Sequence, residues 1–333
     1  MPASLTHHLF TRESLSRIGA QLPFVKGREA LVSIGSQGPD PFYFYGFVPW
    51  RKRVDKQEVN DLGTLFHASD PIAVLPDLIG KLASFDGEER HIATAFLYGF
   101  MMHYVLDRQV HPYVFFHSGF DLNGGFHLPY SADHARFEAL LDTAMMNYFE
   151  TPFTQIHPYR SLLCPDAWLD TVDDLFAHWN SDIAGDQRYS KSLGDMRSVL
   201  RAVFGKAGIR RKLIKALVGE RSLIYAMAHP PKISKAEAYD YLNLSHRPWR
   251  DPSTGVITTD SVIDRFEIAQ RDMAGIASLL IAASEGKEIL ASEYQALFRS
   301  IDYDGKLAGS KQHHFQSIYP AQPGFPSQAG DPL

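Results

Sequence analysis

Apolar residues recur at steps of three and four residues in seven segments of this chain, and that periodicity restricts its fold more than any other feature. The segments are 71–84, 89–110, 132–148, 167–180, 188–218, 259–285 and 290–299. A further short helix is expected over 235–243, inside an irregular stretch from 230 to 257. Alternation of period two, which is typical of half-buried strands, is scarce. The pattern therefore predicts an all-α protein, a multi-helix bundle.

Glycine and proline mark where these helices stop. Residues 34–50 and 113–130 are rich in both and are expected to form loops. His111 precedes Pro112, and a residue before proline disfavours helical backbone, so the helix over 89–110 is expected to end there. From residue 309 onward Gln, Pro, Gly and Ser dominate, which predicts a poorly ordered tail over 309–333.

Composition excludes several classes of function. The chain has 333 residues, of which 45% are apolar, enough for one large core. Its 33 basic and 38 acidic residues give a formal charge of −5, so no stable nucleic acid partner is expected. No run of about 18 apolar residues and no secretory signal is visible, which predicts a cytoplasmic protein without a transmembrane segment. The single cysteine excludes a disulfide within the chain and a thiolate zinc site.

One helix carries a histidine and a carboxylate at the end of its apolar face. Phe96, Phe100, His103 and Asp107 follow one another at steps of four, three and four residues and so share a face. Burying such polar groups without partners costs several kcal/mol, roughly 2–7 for a neutral group, so they need hydrogen bonds, each other or a metal. A satisfied core histidine or a surface ion pair is the simpler interpretation of this pair alone.

A third group, His111, follows Asp107 by four residues. Positions 103 and 111 of a helix lie about 12 Å apart along the axis. Zinc ligands lie about 2 Å from the ion, so one ion cannot easily take both histidines. Two metal ions with Asp107 between them would satisfy the spacing.

A second pair of the same kind follows on the next helix, whose start is indicated by Ser131 and Asp133. His134 and Glu138 are again four residues apart, and their row continues through Leu141 into core positions. Bundle proteins build metal sites from such pairs on adjacent helices. Either pair alone would fit an ordinary ion pair, but together within 36 residues they favour a metal site.

Three upstream residues have less specific settings. Asp40 lies between two prolines, where a carboxylate often caps a turn. His67 precedes the helix at 71–84 and would serve as a cap-region histidine. His7 would be an ordinary polar residue near the N-terminus. None of the three indicates a metal site without the others.

Taken in order, these motifs resemble the zinc-dependent phospholipase C family, which is related to the P1-type nucleases. The resemblance rests on Thr6-His7, Gly38-Pro39-Asp40, His67, His103-x3-Asp107, His111-Pro112 and His134-x3-Glu138, and it covers roughly residues 1–150. It implies a helical domain with three zinc ions that hydrolyse phosphodiester or phosphomonoester bonds. It also implies a metal-binding helical core over 1–150, which further helices over 151–308 complete or cover.

The resemblance implies a ligand set for each ion. It places one zinc on Asp40, His67, His103 and Asp107, a second on His111, His134 and Glu138, and a third on His7, bridged by Asp107. Asp40 would also be the catalytic residue that orients or deprotonates water.

Two departures from the family affect these assignments. The chain begins Met1-Pro2, whereas secreted members offer the third ion a processed N-terminus, so two or three zinc ions are expected. The short step from Asp107 to His111 leaves His117 or His127 as substitutes. His111 is preferred because His117 follows an apolar run typical of a core.

The implied function is hydrolysis of a small phosphoester, or of a phospholipid head group, by metal-activated water. A nuclease or nucleotide phosphatase of the same superfamily and a noncatalytic metal-binding protein are the alternatives. Iron and manganese also accept His and carboxylate ligands.

A basic run lies outside the resemblance. Its cations, Lys206, Arg210, Arg211, Lys212 and Lys215, alternate with Ile209, Leu213, Ile214 and Leu217. They could meet a phosphate or an anionic lipid surface, but an ordinary amphipathic helix with a solvated basic face is the favoured interpretation.

Overall fold

The computed structural model describes residues 4–48, 51, 55–118, 128–153, 155–180, 187–205, 208–235 and 238–308, with only the backbone of 20 and 128–131. The predicted tail over 309–333 lies outside these residues, as do His127 and Lys206. The described part is 67% helical and contains fourteen α-helices and two short strands. The prediction of an all-α, multi-helix bundle is therefore confirmed.

The first half of the chain contributes α1 (Ser4–Ile18), α2 (Glu29–Gly35), α3 (Pro41–Phe44), α4 (Lys56–Ala68), α5 (Pro71–Gly80), α6 (Gly87–Ser118) and α7 (Leu128–Tyr148). The second half contributes α8 (Pro158–Ser161), α9 (Asp166–Trp179), α10 (Arg188–Val203), α11 (Ile209–Val218), α12 (Leu223–Ala226), α13 (Val262–Ser284) and α14 (Ala291–Phe298). Short 3₁₀ turns cover Gly19–Gln21 and Lys81–Ser84. Strands β1 (Trp249–Arg250) and β2 (Ile257–Thr258) pair antiparallel.

Helix α6 continues past Pro112, where it was expected to end. It spans 32 residues and contains Pro112. Val110, Tyr113 and Val114 are buried on either side of the proline, and their burial offsets its cost, about 3 kcal/mol in a helix interior. The predicted loop over 113–130 is wrong for 113–118, and α7 begins at Leu128, before the expected signal at Ser131.

Other boundaries were also wrong. The segment 188–218 forms two helices, because α10 ends at Val203 and Gly208, just before α11, adopts a φ of +68°. Residues 238–243 are not helical, contrary to the helix expected over 235–243. The expected loop over 34–50 includes the end of α2 and the short α3, and α1 and α4 were not predicted.

Helix α6 lies at the centre of the fold, with α2, α7, α9 and α13 packed around it. The contact with α2 is close. A Cβ atom on Gly35 would lie 2.2 Å from the Phe96 carbonyl oxygen, and one on Gly99 would lie 2.2 Å from that of Val32. The two backbones therefore touch. This contact places the Ser36 carbonyl oxygen 3.1 Å from Nδ1 of His103.

Among the described residues, no helix combines the length and the apolar character that crossing a bilayer requires. The predicted division into a core over 1–150 and completing helices over 151–308 stays a prediction. Helix α13 nevertheless packs along α6, so the second half of the chain supports the first.

Replacing Gly99 by Ala is expected to destabilise the protein by about 1–3 kcal/mol, the usual cost of overpacking, because the new methyl group must push α2 and α6 apart. Urea unfolding measures the change. Gly80→Ala is the matched control, since a Cβ there meets nothing within 4 Å. Equal free energies of unfolding for the two variants would contradict the close packing.

Candidate metal centre

The eight predicted ligands come together in one buried place. Within each of three groups the candidate donor atoms lie within 4.8 Å of one another. The groups are His7, His103 and Asp107; Asp40, His67 and His103; and His111, His134 and Glu138. All eight side chains are buried except that of His67, which keeps 14% of its surface exposed. Each group can hold a metal ion.

Asp40 and Asp107 face His67 and His103 from α3 and α6. Nε2 of His67 lies 3.4 Å from Oδ1 of Asp40, and Nε2 of His103 lies 3.0 Å from Oδ2 of Asp107. The simpler role expected for Asp40 is not observed, because its side chain makes no capping hydrogen bond to α3. His67 lies in the last turn of α4 and points at both carboxylates.

His7 reaches the centre from α1. Its Nε2 lies 3.0 Å from Oδ1 of Asp107, and its ring stacks on that of His103 with centroids 4.2 Å apart. Asp142 on α7 positions this helix, since it accepts hydrogen bonds from the backbone N–H of Leu5 at 3.1 Å and of Thr6 at 2.8 Å. The two oxygens of Asp107 thus face different histidines.

The remaining group lies on the other side of Asp107. Nε2 of His134 and Nε2 of His111 lie 3.1 Å and 3.5 Å from Oε1 of Glu138. Nε2 of His111 is also 3.7 Å from Oδ2 of Asp107. Asp107 therefore lies between two histidines of its own helix, as the spacing indicated.

His117 takes no part in the centre. It is buried among the rings of Tyr113 and Phe137, and burial lowers its pKa to about 3. The preference for His111 over His117 agrees with this placement.

Most of the imidazoles are oriented through their second nitrogen. Nδ1 of His103 lies 3.1 Å from the Ser36 carbonyl oxygen, and Nδ1 of His67 lies 2.8 Å from that of Gly63. Nδ1 of His134 lies 3.2 Å from the Ser118 hydroxyl, which itself donates to the Val114 carbonyl. Donation from Nδ1 leaves the Nε2 lone pair facing the carboxylates, an arrangement that is usual for metal-bound histidine.

The sequence interpretation missed two residues of the centre, Tyr303 and Asp304. Oδ1 of Asp304 lies 3.5 Å from Nδ1 of His111. The buried ring of Tyr303 lies over His67 and His103, with centroids 4.9 Å and 5.8 Å away. They lie more than 160 residues beyond the last predicted ligand, so no local spacing connects them to it.

A second row of side chains on α6, adjacent to the ligand row, contacts the segment that carries Tyr303 and Asp304. Tyr104 donates to the Ile301 carbonyl at 2.6 Å, and Arg108 donates to the Leu297 carbonyl at 2.8 Å. Gly305 lies so close to Pro112 that a Cβ there would meet the proline ring at 2.5 Å. Tyr104, Arg108 and Pro112 each follow one of the ligands His103, Asp107 and His111 by one residue.

Burial and charge set the protonation of the centre. Burial raises the pKa of Asp107, but the adjacent histidines outweigh it and hold that pKa well below its usual range. Burial lowers the pKa of His111, but Asp107 and the other carboxylates around it raise the pKa well above its ordinary value. Burial lowers the pKa of His103 and His134 overall. The imidazoles thus differ in how firmly they hold a proton.

No protein-family model matches the chain, and no curated protein or solved structure matches it.

The residues themselves fit a divalent metal. Three buried carboxylates (Asp40, Asp107 and Glu138) and a fourth, Asp304, which is 19% exposed, surround five imidazoles, and buried carboxylates require compensating positive charge. Two divalent cations would balance them with every imidazole neutral, which is the form that binds metal. Nε2 of His103 is buried and, within the described part of the chain, lacks a partner with hydrogen-bond geometry.

Gly38 provides a second indication of a built site. It adopts a φ of +54°, and a Cβ there would lie 2.4 Å from the His103 ring. Only glycine accepts this close approach without strain, so the turn that carries Asp40 fits tightly against the imidazole.

Replacing Asp304 by Asn is expected to weaken metal binding about 10–100-fold at the group that contains His111, the usual effect of removing a partner that orients a ligand. Titration against a chromogenic chelator measures the affinity. Asp86→Asn is the control, because that side chain is fully exposed. Unchanged metal affinity in the Asp304 variant would show that this residue does not contribute to the metal centre.

Zinc is expected to raise the melting temperature more at pH 8 than at pH 6. The pKa values of His111 and His67 are raised in the folded protein, so protonation of these residues stabilises the metal-free fold. This stabilisation is fully present below about pH 6.5 and is lost as the pH rises through the pKa values of the folded state. Zinc competes with these protons for the imidazoles, so the stabilisation by zinc increases as the pH rises. Scanning calorimetry at both values, with and without chelator, tests this. A gain that is larger at pH 6 would contradict it.

Proposed function

We propose that this protein is a zinc-dependent hydrolase of phosphoesters, of the phospholipase C and P1 nuclease type. The observation that carries the proposal is the position of Asp107. Its carboxylate lies between His7 and His103 on one side and His111 on the other, at 3.0, 3.0 and 3.7 Å. A carboxylate that contacts histidines of all three ligand groups favours a cluster of ions over a single structural ion.

The donor set also favours catalysis. Structural zinc sites are closed and usually contain cysteine, whereas the three groups here contain only imidazole and carboxylate. Zinc, when bound, lowers the pKa of water from 15.7 to about 7 and neutralises charge that develops on phosphoryl oxygens.

Asp40 is assigned the role of orienting or deprotonating the attacking water. Burial raises its pKa, but the charges of His103 and His67 outweigh burial and lower that pKa overall. The carboxylate therefore stays ionised at neutral pH and can accept a proton. General base catalysis of this kind contributes about 10²–10⁴-fold to a rate.

Tyr303 is a further residue for this reaction. Its hydroxyl is buried and has no hydrogen-bond partner within the described residues, and its pKa is raised by burial first and also by the charges of Asp107 and Asp40. A phenol that stays protonated beside the centre can donate to a phosphoryl oxygen.

The substrate class is a small phosphoester, with phospholipid head groups included. A nuclease or nucleotide phosphatase of the same superfamily would use the same metal-activated water on other phosphoesters. Activity on a generic diester, compared with nucleotides and with single-stranded DNA, distinguishes these substrates.

A noncatalytic metal-binding protein is the second candidate, and one observation favours it. Tyr303 is only 1% exposed and covers His67 and His103, so the segment 301–308 closes the centre on that side. In a hydrolase this segment must move to admit a phosphate group. In a noncatalytic protein it stays in place.

His103→Ala and His134→Ala are expected to lower the metal content and to reduce the hydrolysis of bis(p-nitrophenyl) phosphate and p-nitrophenyl phosphate more than about a hundredfold, since each variant loses a direct ligand. Metal analysis and initial rates on zinc-loaded protein measure both effects.

His91→Ala is the matched control, because His91 lies on the same helix, α6, and is exposed. A folded wild type that holds two or three ions per chain and hydrolyses none of these esters would exclude the hydrolase and leave the noncatalytic candidate.

A further inference from the structure

Helix α11 exposes an apolar row that an ordinary amphipathic helix would bury. Ile209, Leu213 and Leu217 follow one another at four-residue steps, and their side chains are 63%, 57% and 82% exposed. No residue of α11 is buried. The helix is attached to the core through Ile214, which is only partly exposed. Its outward side is therefore apolar.

Exposed apolar residues also occur on the next helix. Leu223 and Ile224 of α12 are 39% and 37% exposed, and α12 packs on α11. A groove between α10 and α11 is lined by Leu213 and Leu217 together with Arg201. Single exposed apolar residues are common on proteins, but a contiguous row marks an interaction site.

Basic residues accompany this row in a chain that is acidic as a whole. Residues 208–226 contain five basic residues and one acidic residue, Glu220, against a formal charge of −5 for the whole protein. At 3.6 residues per turn, Lys212 and Arg210 flank the apolar row on opposite sides. Arg210 is held by the Phe204 carbonyl at 2.8 Å, and Arg211 lies over the Tyr225 ring at 4.7 Å.

We propose that α11, with Arg201 and the exposed residues of α12, docks on an anionic lipid surface. An interfacial helix combines an apolar face with Lys and Arg at its edges, and both are present here. The cations favour a negatively charged partner, and the exposed apolar row favours one into which it can insert. A lipid bilayer with anionic head groups meets both requirements.

This inference does not depend on the metal centre or on hydrolysis. Binding to lipid and turnover are separate measurements, so either can fail alone. If both hold, α11 would bring a phosphoester hydrolase to a surface made of phosphoesters.

Co-sedimentation of the full chain with vesicles tests the docking. Binding is expected to vesicles of phosphatidylcholine with about one third phosphatidylserine and not to pure phosphatidylcholine. It should weaken at about 0.5 M salt, where surface charges are largely screened. Lys212→Gln combined with Arg201→Gln should lower the partition coefficient about thirtyfold, at about 1 kcal/mol per basic residue near the surface.

Leu213→Gln combined with Leu217→Gln should abolish binding as well. Leu244→Gln with Leu290→Gln is the matched control, because these residues are similarly exposed, at 50% and 57%, and lie elsewhere in the chain. Equal binding to both kinds of vesicle, or to neither, would overturn the proposal. So would a dimer in light scattering that the variants of Leu213 and Leu217 dissociate, since the row would then bind a second copy.

Discussion

The most demanding feature of this structure is a group of four carboxylates, of which three are buried and the fourth, Asp304, is 19% exposed. Carboxylates without compensation would cost several kcal/mol each after relaxation, so the fold must surround them with positive charge or with groups that bind it. Five imidazoles from four helices do so. The long, central α6 provides one rigid support for His103, Asp107 and His111. Helices α1, α4 and α7 carry the other histidines.

Helix α6 supports the centre through two parallel rows. One row carries the ligands, and the next, one residue further on, holds the chain at 297–305 through Tyr104, Arg108 and Pro112. Close packing against α2 one turn before His103, at Gly99, fixes the carbonyl that orients His103. The geometry of the centre is thus a property of the packing of one helix rather than of separate loops.

Sequence reasoning succeeded where the physical signal is local. Four-residue steps put His103 with Asp107 and His134 with Glu138, and the helix class followed from apolar periodicity. Sequence reasoning failed where tertiary contacts determine the structure. Helix α6 continues past Pro112 because the flanking residues are buried. No residue near Asp304 in the sequence indicates that Asp304 contacts His111. The apolar residues of α11 were also visible in the sequence but their exposure was not, because periodicity gives the pattern of a face but not what covers it.

The position of Asp304 late in the chain determines when the complete metal centre can form during synthesis. His7 through Glu138 leave the ribosome long before residues 303 and 304, so a nascent chain can gather most of the ligands while His111 still lacks the carboxylate at its Nδ1. Tyr303 is likewise absent from its position over His67 and His103 at that stage. We therefore expect the centre to stay open until residues 303 and 304 have been synthesised and the segment that carries them has packed against α6.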